Sequence, residues 1–412
     1  MSISIFEKLQ KIFEFGYVCD NCIGRQFAQL LSGFSNDERG KTLRMTFAMF
    51  LDSKPEIKVE MTNFYGFRFH NKKISKGEIR KPGKCKVCNG LFKNLDSWLD
   101  KIIKEVKKYQ FKTFVVGTVL SSDLLEREER LWELVGINFC EPIKAEINRT
   151  IGRMIEKRLG VVTDLKYPDI NVLLNLETNN IKVKANPLFI QGEYQKLVRG
   201  ISQSKSRRYK ISVEEIIAKP IMKITKGKDH KFHGAGREDV DARCLDWRPF
   251  VLEIIEPRYR FFDLKKIEKN VDKKIKVRGL KLSNIDVVRR LKSIKIDKEY
   301  EVLVNCNKEI TKNDLKKLKK LVTVISQHTP KRVLQRRANK LRKRMVKSIK
   351  VKYLSKKSFL LRIRSEAGLY VKELVTGDDG RTKPSVTEIL RCKCVPKKLD
   401  VVKIYRRIFN MQ

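Results

Sequence analysis

The most distinctive stretch of this 412-residue chain is Gly234-Ala-Gly-Arg-Glu-Asp-Val-Asp-Ala-Arg243, and Arg248-Pro-Phe-Val-Leu-Glu253 follows it closely. Its two glycines permit a tight loop ahead of an apolar, strand-like run. Three carboxylates lie among the arginines of this stretch, those of Glu238, Asp239 and Asp241. Such a loop is either a surface turn with ordinary ion pairs or a carboxylate held ionised by arginines beside a strand. Composition alone leaves both interpretations open.

Strand-like runs dominate the sequence from this loop onward and predict a sheet: Phe250–Ile255, Tyr300–Val304, Leu321–Ser326 and Phe359–Arg364. Upstream, helical and strand-like patterns alternate. The predicted helices are Gln26–Leu31, Leu95–Val106, Leu124–Val135 and Ala145–Leu159, and the predicted strands are Phe64–Phe69, Phe114–Val119, Ile170–Leu176 and Ile181–Lys184. We therefore expect domains at residues 1–92, 93–205 and 206–412, with the basic, serine-rich Ser202–Tyr209 as a hinge.

The composition indicates a negatively charged partner. Lys and Arg outnumber Asp and Glu by 92 to 48, which gives a formal net charge of +44. Nucleic acid relieves such self-repulsion through phosphate contacts, while a lysine-rich proteome or an acidic membrane surface is the alternative explanation. No apolar run approaches the roughly 18 residues of a membrane span, and the first ten residues lack the features of a signal peptide. We expect a cytoplasmic, nucleic-acid-binding protein without membrane association.

Four of the nine cysteines form two CxxC pairs. They are Cys19-Asp-Asn-Cys22 and Cys85-Lys-Val-Cys88, and a glycine follows two residues after each pair. Each pair can place two thiolates on one tetrahedral ion at about 2.3 Å. We therefore predict that both pairs share one structural zinc ion; a redox pair or unmetallated thiols are the alternatives. Cys392 and Cys394 form a CxC that could chelate metal, but we interpret them as ordinary residues.

The segment Lys331–Lys350 holds ten Lys or Arg residues and no acid. Its apolar positions recur every three or four residues, which predicts a helix with one buried face. A solvated face is the ordinary explanation of such a charge run, but the absence of any compensating acid favours contact with RNA phosphates. We name four of its arginines as candidate RNA-binding residues: Arg336, Arg337, Arg342 and Arg344.

The sequence lacks the common cofactor signatures, with no GxxxxGK[ST] phosphate loop and no GxGxxG after a strand. Asn186-Pro-Leu-Phe189 is similar to the NPP[YF] motif of amino-group methyltransferases, but no glycine-rich cofactor turn accompanies it. We therefore expect no organic cofactor.

Three stretches, in order, resemble the motifs of pseudouridine synthases. Gly236-Arg-Glu-Asp239 resembles their GR[TE]D loop, whose aspartate is the nucleophile common to that superfamily. Lys298-Glu-Tyr-Glu-Val-Leu-Val304 resembles the motif in which a tyrosine that opens a strand packs against the target base. Ser365-Glu-Ala-Gly-Leu-Tyr-Val-Lys-Glu-Leu374 resembles the third motif, whose basic residue pairs with the catalytic aspartate.

The details are similar to one family, the THUMP-containing tRNA pseudouridine synthases of archaea and eukaryotes, often called the Pus-ten family. Its members carry two N-terminal CxxC pairs, the string GREDVDxRxL and the phrase TPxRVxxRR, which is Thr329-Pro-Lys-Arg-Val-Leu-Gln-Arg-Arg337 here. The likeness runs from about residue 19 to residue 392. One departure is Cys244-Leu-Asp-Trp-Arg-Pro249, where the family more often has a glycine-containing turn.

This resemblance implies an α+β protein. A zinc-bearing N-terminal α/β THUMP-like RNA-binding domain would precede a mixed, mainly antiparallel-sheet pseudouridine synthase domain. The implied reaction isomerises uridine 54, uridine 55 or both in the TΨC arm of tRNA. We expect tRNA as the partner, a monomer, and no obligate protein partner. A non-catalytic RNA-binding or ribosome-associated protein, or another THUMP-type enzyme such as a methyltransferase or thiolase, is the alternative.

The resemblance also implies roles for single residues. Asp239 would be the nucleophile, with Asp241 the next candidate, and Lys372 would supply the cation that keeps Asp239 charged. Tyr300 would stack on the uracil, and Tyr370 would line the pocket from the same strand as Lys372. The substrate-binding residues implied are Arg237, Tyr300, Tyr370 and Lys372.

Overall fold

The computed structural model describes residues 4–74, 77, 79–206, 208, 209 and 211–405. The chain divides into two compact units, Met1–Asn186 and Pro187–Gln412. None of the helices formed by the described residues is both long enough and apolar enough to cross a bilayer.

The first unit packs helices on a four-stranded sheet. Its helices are α1 (Ile5–Glu14), α2 (Asp20–Gly24), α3 (Asn36–Ser53), α4 (Leu95–Val106), α5 (Ser122–Val135) and α6 (Ile143–Leu159). Its strands are β1 (Thr113–Val119), β2 (Val162–Thr163), β3 (Ile170–Asn175) and β4 (Asn180–Ala185). The strand order is β2-β1-β3-β4, parallel from β2 to β3 and antiparallel between β3 and β4. The mixed α/β character predicted for this region is confirmed.

Amphipathic periodicity explains why the longer elements of the first unit were predictable. In α4 the buried residues are Leu95, Trp98, Ile102 and Val106, which lie on one face at helical spacing. The burial of β1 alternates residue by residue, as a strand with one covered face requires. The predicted helices that correspond to α4, α5 and α6 are confirmed, and so are the predicted strands that correspond to β1, β3 and β4.

Two predictions in the first 92 residues are wrong. The stretch Gln26–Leu31 contains only the end of a short 3₁₀ turn, Arg25–Phe27, and Leu31 adopts a left-handed conformation with φ of 54°. The stretch Phe64–Phe69 forms no strand. Its aromatic rings instead pack edge-on around the buried Phe64, with the Phe67 and Phe69 centroids at 6.3 and 6.1 Å. The aromatic residues that suggested a strand in this stretch pack as a ring cluster and form no sheet.

The second unit is built on one large, mainly antiparallel sheet. Its helices are α7 (Val213–Thr225), α8 (Leu264–Lys269), α9 (Ile285–Ser293), α10 (Lys312–Lys316), α11 (Val371–Thr376) and α12 (Val386–Leu390). Its strands are β5 (Leu188–Lys196), β6 (Asp229–Gly234), β7 (Ala242–Ile255), β8 (Ile275–Ser283), β9 (Lys298–Cys306), β10 (Val324–Gln327), β11 (Arg342–Ser355), β12 (Ser358–Ser365), β13 (Thr382–Lys383) and β14 (Cys394–Ile404).

The order of this sheet is β13-β10-β11-β12-β9-β14-β7-β5-β8, and β6 also pairs with β7. The neighbours are antiparallel except β14 and β7, which run parallel where Leu399 faces Ala242. The predicted strands in this half are confirmed, although the one expected at Leu321–Ser326 begins only at Val324. The predicted α+β class, with a mainly antiparallel second half, is likewise confirmed.

The predicted helix at Lys331–Lys350 is wrong. Lys331–Arg336 forms a 3₁₀ turn, and the rest of the segment enters β11, which pairs with β10 and β12. Every second residue of β11 from Ile349 to Tyr353 packs against the core, and the lysines between them are exposed. This period of two is that of a strand. The helical spacing earlier in the segment was therefore a coincidence that strand pairing overrides.

The stretch predicted as a hinge, Ser202–Tyr209, includes Arg207, which lies outside the described residues. Ser202 and Gln203 at its start are buried within the second unit. The domain boundaries after residues 92 and 205 stay a prediction.

Candidate active site

The carboxylate loop identified in the sequence connects β6, which ends at Gly234, to β7, which begins at Ala242. Gly236 has φ of 79°, in the left-handed region that favours glycine. A Cβ at this position would lie 3.1 Å from the buried Lys298 Nζ. A tight, glycine-dependent turn therefore presents the carboxylates, as the sequence indicated.

Two buried cations donate hydrogen bonds to the backbone carbonyls of this loop. Lys196 Nζ donates to the carbonyl oxygens of Asp239 at 3.0 Å and Val240 at 3.2 Å. Arg248 Nη1 donates to the Ala235 carbonyl at 3.0 Å. Because both cations are fully buried, the loop is fixed by hydrogen bonds that water cannot replace.

Glu238 is buried in the core of the second unit. It forms a buried ion pair with Arg248, whose Nε lies 3.2 Å from Glu238 Oε2. The Tyr194 hydroxyl donates to its carboxylate at 3.0 Å, and Gln203 Nε2 donates to the Tyr194 hydroxyl at 2.8 Å. A carboxylate engaged in this way positions the loop and is closed to substrate.

Asp239 and Asp241 share one lysine. Lys372 Nζ lies 3.2 Å from Asp239 Oδ2 and donates to both oxygens of Asp241, at 2.7 and 2.8 Å. Burial tends to raise the pKa of Asp241, but the Lys372 hydrogen bond and charge outweigh it and lower that pKa. The Asp241 side chain is 68% exposed and the Asp239 side chain 36% exposed. The structure thus brings Lys372 to Asp239, but Lys372 is closer to Asp241.

A second cation, Arg332, also reaches Asp239. Its Nη2 lies 3.4 Å from Asp239 Oδ2, and its Nε donates to the buried Glu373 at 2.7 Å. Burial tends to lower the pKa of Arg332, whereas the hydrogen bond and charge of Glu373 raise it, with the net shift upward. We did not single out Arg332 from the sequence. The available signal is its place in the stretch Thr329–Arg337, which also contains Arg336 and Arg337.

Lys372 is on helix α11, and not on a strand as predicted. Tyr370 immediately precedes this helix, and its backbone exchanges two hydrogen bonds with the Gln327 side chain, both at 2.9 Å. Arg337 Nη1 donates to the Tyr370 hydroxyl at 3.1 Å, and the Arg342 guanidinium lies 5.9 Å from the ring centroid. Two of the candidate RNA-binding arginines therefore contact the tyrosine next to the lysine that binds Asp239.

Tyr300 lies on β9, where it faces Ile363 of β12 and Val401 of β14. Burial raises the pKa of Tyr300 to about 12, so its phenol is neutral at ordinary pH. Arg237 is exposed and has no hydrogen-bond or ion-pair partner within the described part of the chain.

The two remaining arginines named from the sequence form no ion pair with the carboxylates of the loop among the described residues. Arg336 is exposed at the end of the 3₁₀ turn. Arg344 Nη1, on β11, donates to the Lys343 carbonyl at 2.7 Å.

The two CxxC pairs meet in the first unit, as predicted. The sulfur atoms of Cys19, Cys22, Cys85 and Cys88 all lie within 4.8 Å of one another, and Cys19 Sγ and Cys88 Sγ are 3.5 Å apart. A tetrahedral zinc ion about 2.3 Å from each sulfur would separate the sulfurs by about 3.8 Å. The donor set and its spacing therefore fit one zinc ion with four sulfur ligands.

Buried packing explains why these cysteines converge. Arg44 of α3 donates to the Val18 carbonyl at 2.6 Å and to Asp20 Oδ1 at 2.7 Å, which fixes the residues on both sides of Cys19. The Cys19 N–H donates to Cys85 Sγ at 3.3 Å, so a backbone donor already supports one thiolate. The site is closed on all four sulfurs, as structural zinc sites are.

Two family descriptions match the chain. A family described as "Pus10, C-terminal" matches residues 189–405, more than half of the chain. A second, described as "Pus10 THUMP domain, archaeal", matches residues 98–175. These two matches place the chain in a class of isomerases, the tRNA-modifying pseudouridine synthases.

Individual relatives agree over nearly the full length. The tRNA pseudouridine synthase Pus10 of Methanocaldococcus jannaschii is 41% identical, with 94% of this chain and 92% of that protein covered. The protein of the same name from Pyrococcus furiosus is 35% identical, with 97% and 98% covered. The chain belongs to the Pus10 family of tRNA pseudouridine synthases.

Proposed function

We propose that this protein isomerises uridine 54, uridine 55 or both in the TΨC arm of tRNA to pseudouridine, with Asp239 as the nucleophile. The supporting observation is the difference among the three carboxylates of the loop. Glu238 is buried against Arg248, and Asp241 has both oxygens on Lys372. Among the described residues no hydrogen bond reaches the carboxylate of Asp239, whose Oδ2 lies 3.2 Å from Lys372 Nζ and 3.4 Å from Arg332 Nη2.

The reaction breaks the C1′–N1 bond of uridine and forms a C1′–C5 bond, and the C5 proton passes to solvent while N1 gains one. Neither oxidation nor hydrolysis occurs. The carboxylate of Asp239 can act either by addition to the uracil ring or by capture of the ribose C1′. In both routes the carboxylate must enter the reaction ionised, and Lys372 Nζ and Arg332 Nη2 lie within 3.4 Å of its Oδ2.

The aromatic residues supply a place for the base. A uridine inside folded RNA has to leave its stack before Asp239 can reach it. We assign Tyr300 to stacking on the flipped uracil and Tyr370 to the wall of the pocket next to Lys372. Arg237, an exposed cation two residues before Asp239, is assigned to a phosphate of the same RNA.

The zinc ion predicted for the four cysteines would be held by Cys19, Cys22, Cys85 and Cys88. When bound, it would stabilise the fold of the first unit. It would take no part in bond chemistry, because four protein sulfurs leave no coordination position open for a substrate. We assign the THUMP domain to binding another part of the same tRNA, which selects the uridine that reaches Asp239.

Replacing Lys372 by Met should reduce the single-turnover rate by about a hundredfold or more, because a positioned cation next to a reacting carboxylate is lost. Lys372→Arg keeps the charge and should retain most of the rate. Both variants are measured on the same tRNA at saturating enzyme. A Lys372→Met rate close to that of wild type would contradict the role of this lysine.

Neutralising Arg336, Arg337, Arg342 and Arg344 together with Gln should weaken tRNA binding and flatten its salt dependence. Each lost phosphate contact lowers the slope of log affinity against log salt by about 0.7–0.9. A matched control replaces four exposed lysines elsewhere in the second unit, Lys265 and Lys269 on α8 and Lys292 and Lys295 at the end of α9 and just after it. An unchanged slope in the arginine variant would mean that these residues form an ordinary solvated face.

The assignment of the target is tested with tRNA transcripts. Pseudouridine is mapped after incubation of the pure protein with an unmodified transcript and with transcripts that carry cytidine at position 54 or 55. The proposal predicts pseudouridine at one or both positions, and loss of each signal only in the transcript that lacks that uridine. Pseudouridine confined to positions outside the TΨC arm would refute it.

A further inference from the structure

A second cluster of cysteines lies in the second unit, away from the catalytic loop. Cys306 ends β9, Cys394 begins β14, and the two face each other in the strand register. Their sulfurs are 3.4 Å apart, and Cys392 Sγ lies 3.8 Å from Cys394 Sγ. All three sulfurs lie within 4.8 Å of one another, and all three residues are buried. The structure thus brings Cys392 and Cys394, predicted from the sequence to be ordinary residues, together with Cys306.

Hydrogen bonds hold this cluster in shape before any ligand binds. The Lys393 N–H donates to Asn307 Oδ1 at 2.9 Å, and the Asn307 N–H donates to the Lys393 carbonyl at 3.0 Å. The Cys394 N–H donates to Thr387 Oγ1 at 3.1 Å. The turn that carries Cys392 and Cys394 is thus attached to the end of β9, next to Cys306. Preorganisation of this kind lowers the cost of binding a ligand.

We propose that Cys306, Cys392 and Cys394 form a binding site for one soft metal ion that accepts three sulfur ligands, with Cu(I) as its representative. Soft thiolate donors select Cu(I), zinc and iron–sulfur clusters. Structural zinc requires four ligands, and no fourth Cys, His, Asp or Glu joins this cluster among the residues that the structure describes. A three-sulfur site without a fourth donor therefore suits a three-coordinate ion better than zinc.

The apolar surroundings of the cluster favour a metal complex whose net charge is small. Its neighbours belong to the apolar core that includes Ile310, Leu315 and Val386. A monovalent ion bound to two thiolates and one retained thiol leaves a single negative charge, and binding releases two protons to solvent. Burying more charge in such a core would be costly. Affinity for the ion should consequently rise with pH, because the thiols must deprotonate.

The cluster is distinct from the catalytic site. Strand β14 meets the start of β7 at Leu399, five residues after Cys394, or about 16 Å along the strand. Metal binding at the cluster is therefore a separate property, and it does not depend on the function proposed for Asp239.

The test adds Cu(I), without oxygen and with a competing chelator, to the full-length protein carrying its zinc. Wild type should bind one more Cu(I) per chain than either the Cys306→Ser or the Cys392→Ser variant. The zinc content of all three proteins should be the same. Cys140→Ser, which removes a buried cysteine outside both clusters, should bind as wild type does. X-ray absorption at the copper edge should give three sulfur neighbours. Thermal unfolding of each serine variant verifies that it is folded.

Two results would overturn the proposal. Equal Cu(I) uptake by wild type and by both folded serine variants would mean that the cluster does not bind the ion. Copper with four sulfur neighbours, accompanied by loss of zinc, would place the copper in the four-cysteine cluster of the first unit.

Discussion

Replacing Asp239 by Asn should abolish pseudouridine formation, with a fall in single-turnover rate of about ten thousandfold or more, as for the loss of other nucleophiles. Asparagine keeps the size of the side chain but cannot act as the nucleophile. The loop should stay in place, because Lys196 still donates to the backbone carbonyl of Asp239 and Lys372 still donates to the carboxylate of Asp241. Affinity for tRNA should change little, since loss of a negative charge cannot weaken phosphate binding. Rate and affinity are measured on one transcript.

Asp241→Asn is the matched control for this experiment. It removes the same charge two residues away and loosens the hold on Lys372, so we expect a loss of less than about tenfold. The reverse pattern, with an active Asp239→Asn and an inactive Asp241→Asn, would assign the nucleophile to Asp241. Glu238→Gln should instead lower stability, because it leaves the buried Arg248 without its anionic partner.

The double variant Cys85→Ser/Cys88→Ser should lose zinc and with it the fold of the first unit. Structural zinc in small domains contributes about 10–16 kcal/mol, which is comparable to or larger than the roughly 5–15 kcal/mol that stabilises a whole domain. Elemental analysis should find close to one zinc per wild-type chain purified without chelator, and none in the variant. Limited proteolysis should then digest residues 4–186 faster than the second unit.

Cys140→Ser serves as the control here too, because Cys140 is a buried cysteine of the first unit outside the cluster. It should keep its zinc and its resistance to protease. Wild-type protein without metal, or a double variant that retains both zinc and tRNA binding, would show that the four thiols are not a structural metal site.

Features that depend on short stretches of sequence were predictable. The glycine turn before Asp239 needs only local backbone freedom, and it lies where the pattern placed it. Each CxxC pair is likewise a local turn, so the chemistry of four thiols could be predicted although the pairs are far apart in sequence. Amphipathic helices such as Leu95–Val106 follow from one residue period.

Features set by strand pairing and long-range contacts were not predictable. The period in Lys331–Lys350 suits a helix, but pairing with two neighbouring strands makes its second half a strand. Arg332 lies beside Asp239 while its Nε donates to Glu373, which is distant in sequence, so no local pattern points to this contact. Cys306 and Cys394 are 88 residues apart and meet through the register of β9 and β14, which no spacing rule reveals.

Isomerisation of uridine by Asp239 is tested most directly by following the hydrogen at C5 of uridine. Formation of the C1′–C5 bond expels that hydrogen, so tRNA made with [5-³H]uridine releases tritium only at uridines that are isomerised. We predict that wild-type protein releases tritium equivalent to one or two uridines per tRNA, matching the number mapped at positions 54 and 55, and that Asp239→Asn releases none. No release by wild type, or undiminished release by Asp239→Asn, would contradict isomerisation of uridine with Asp239 as the nucleophile.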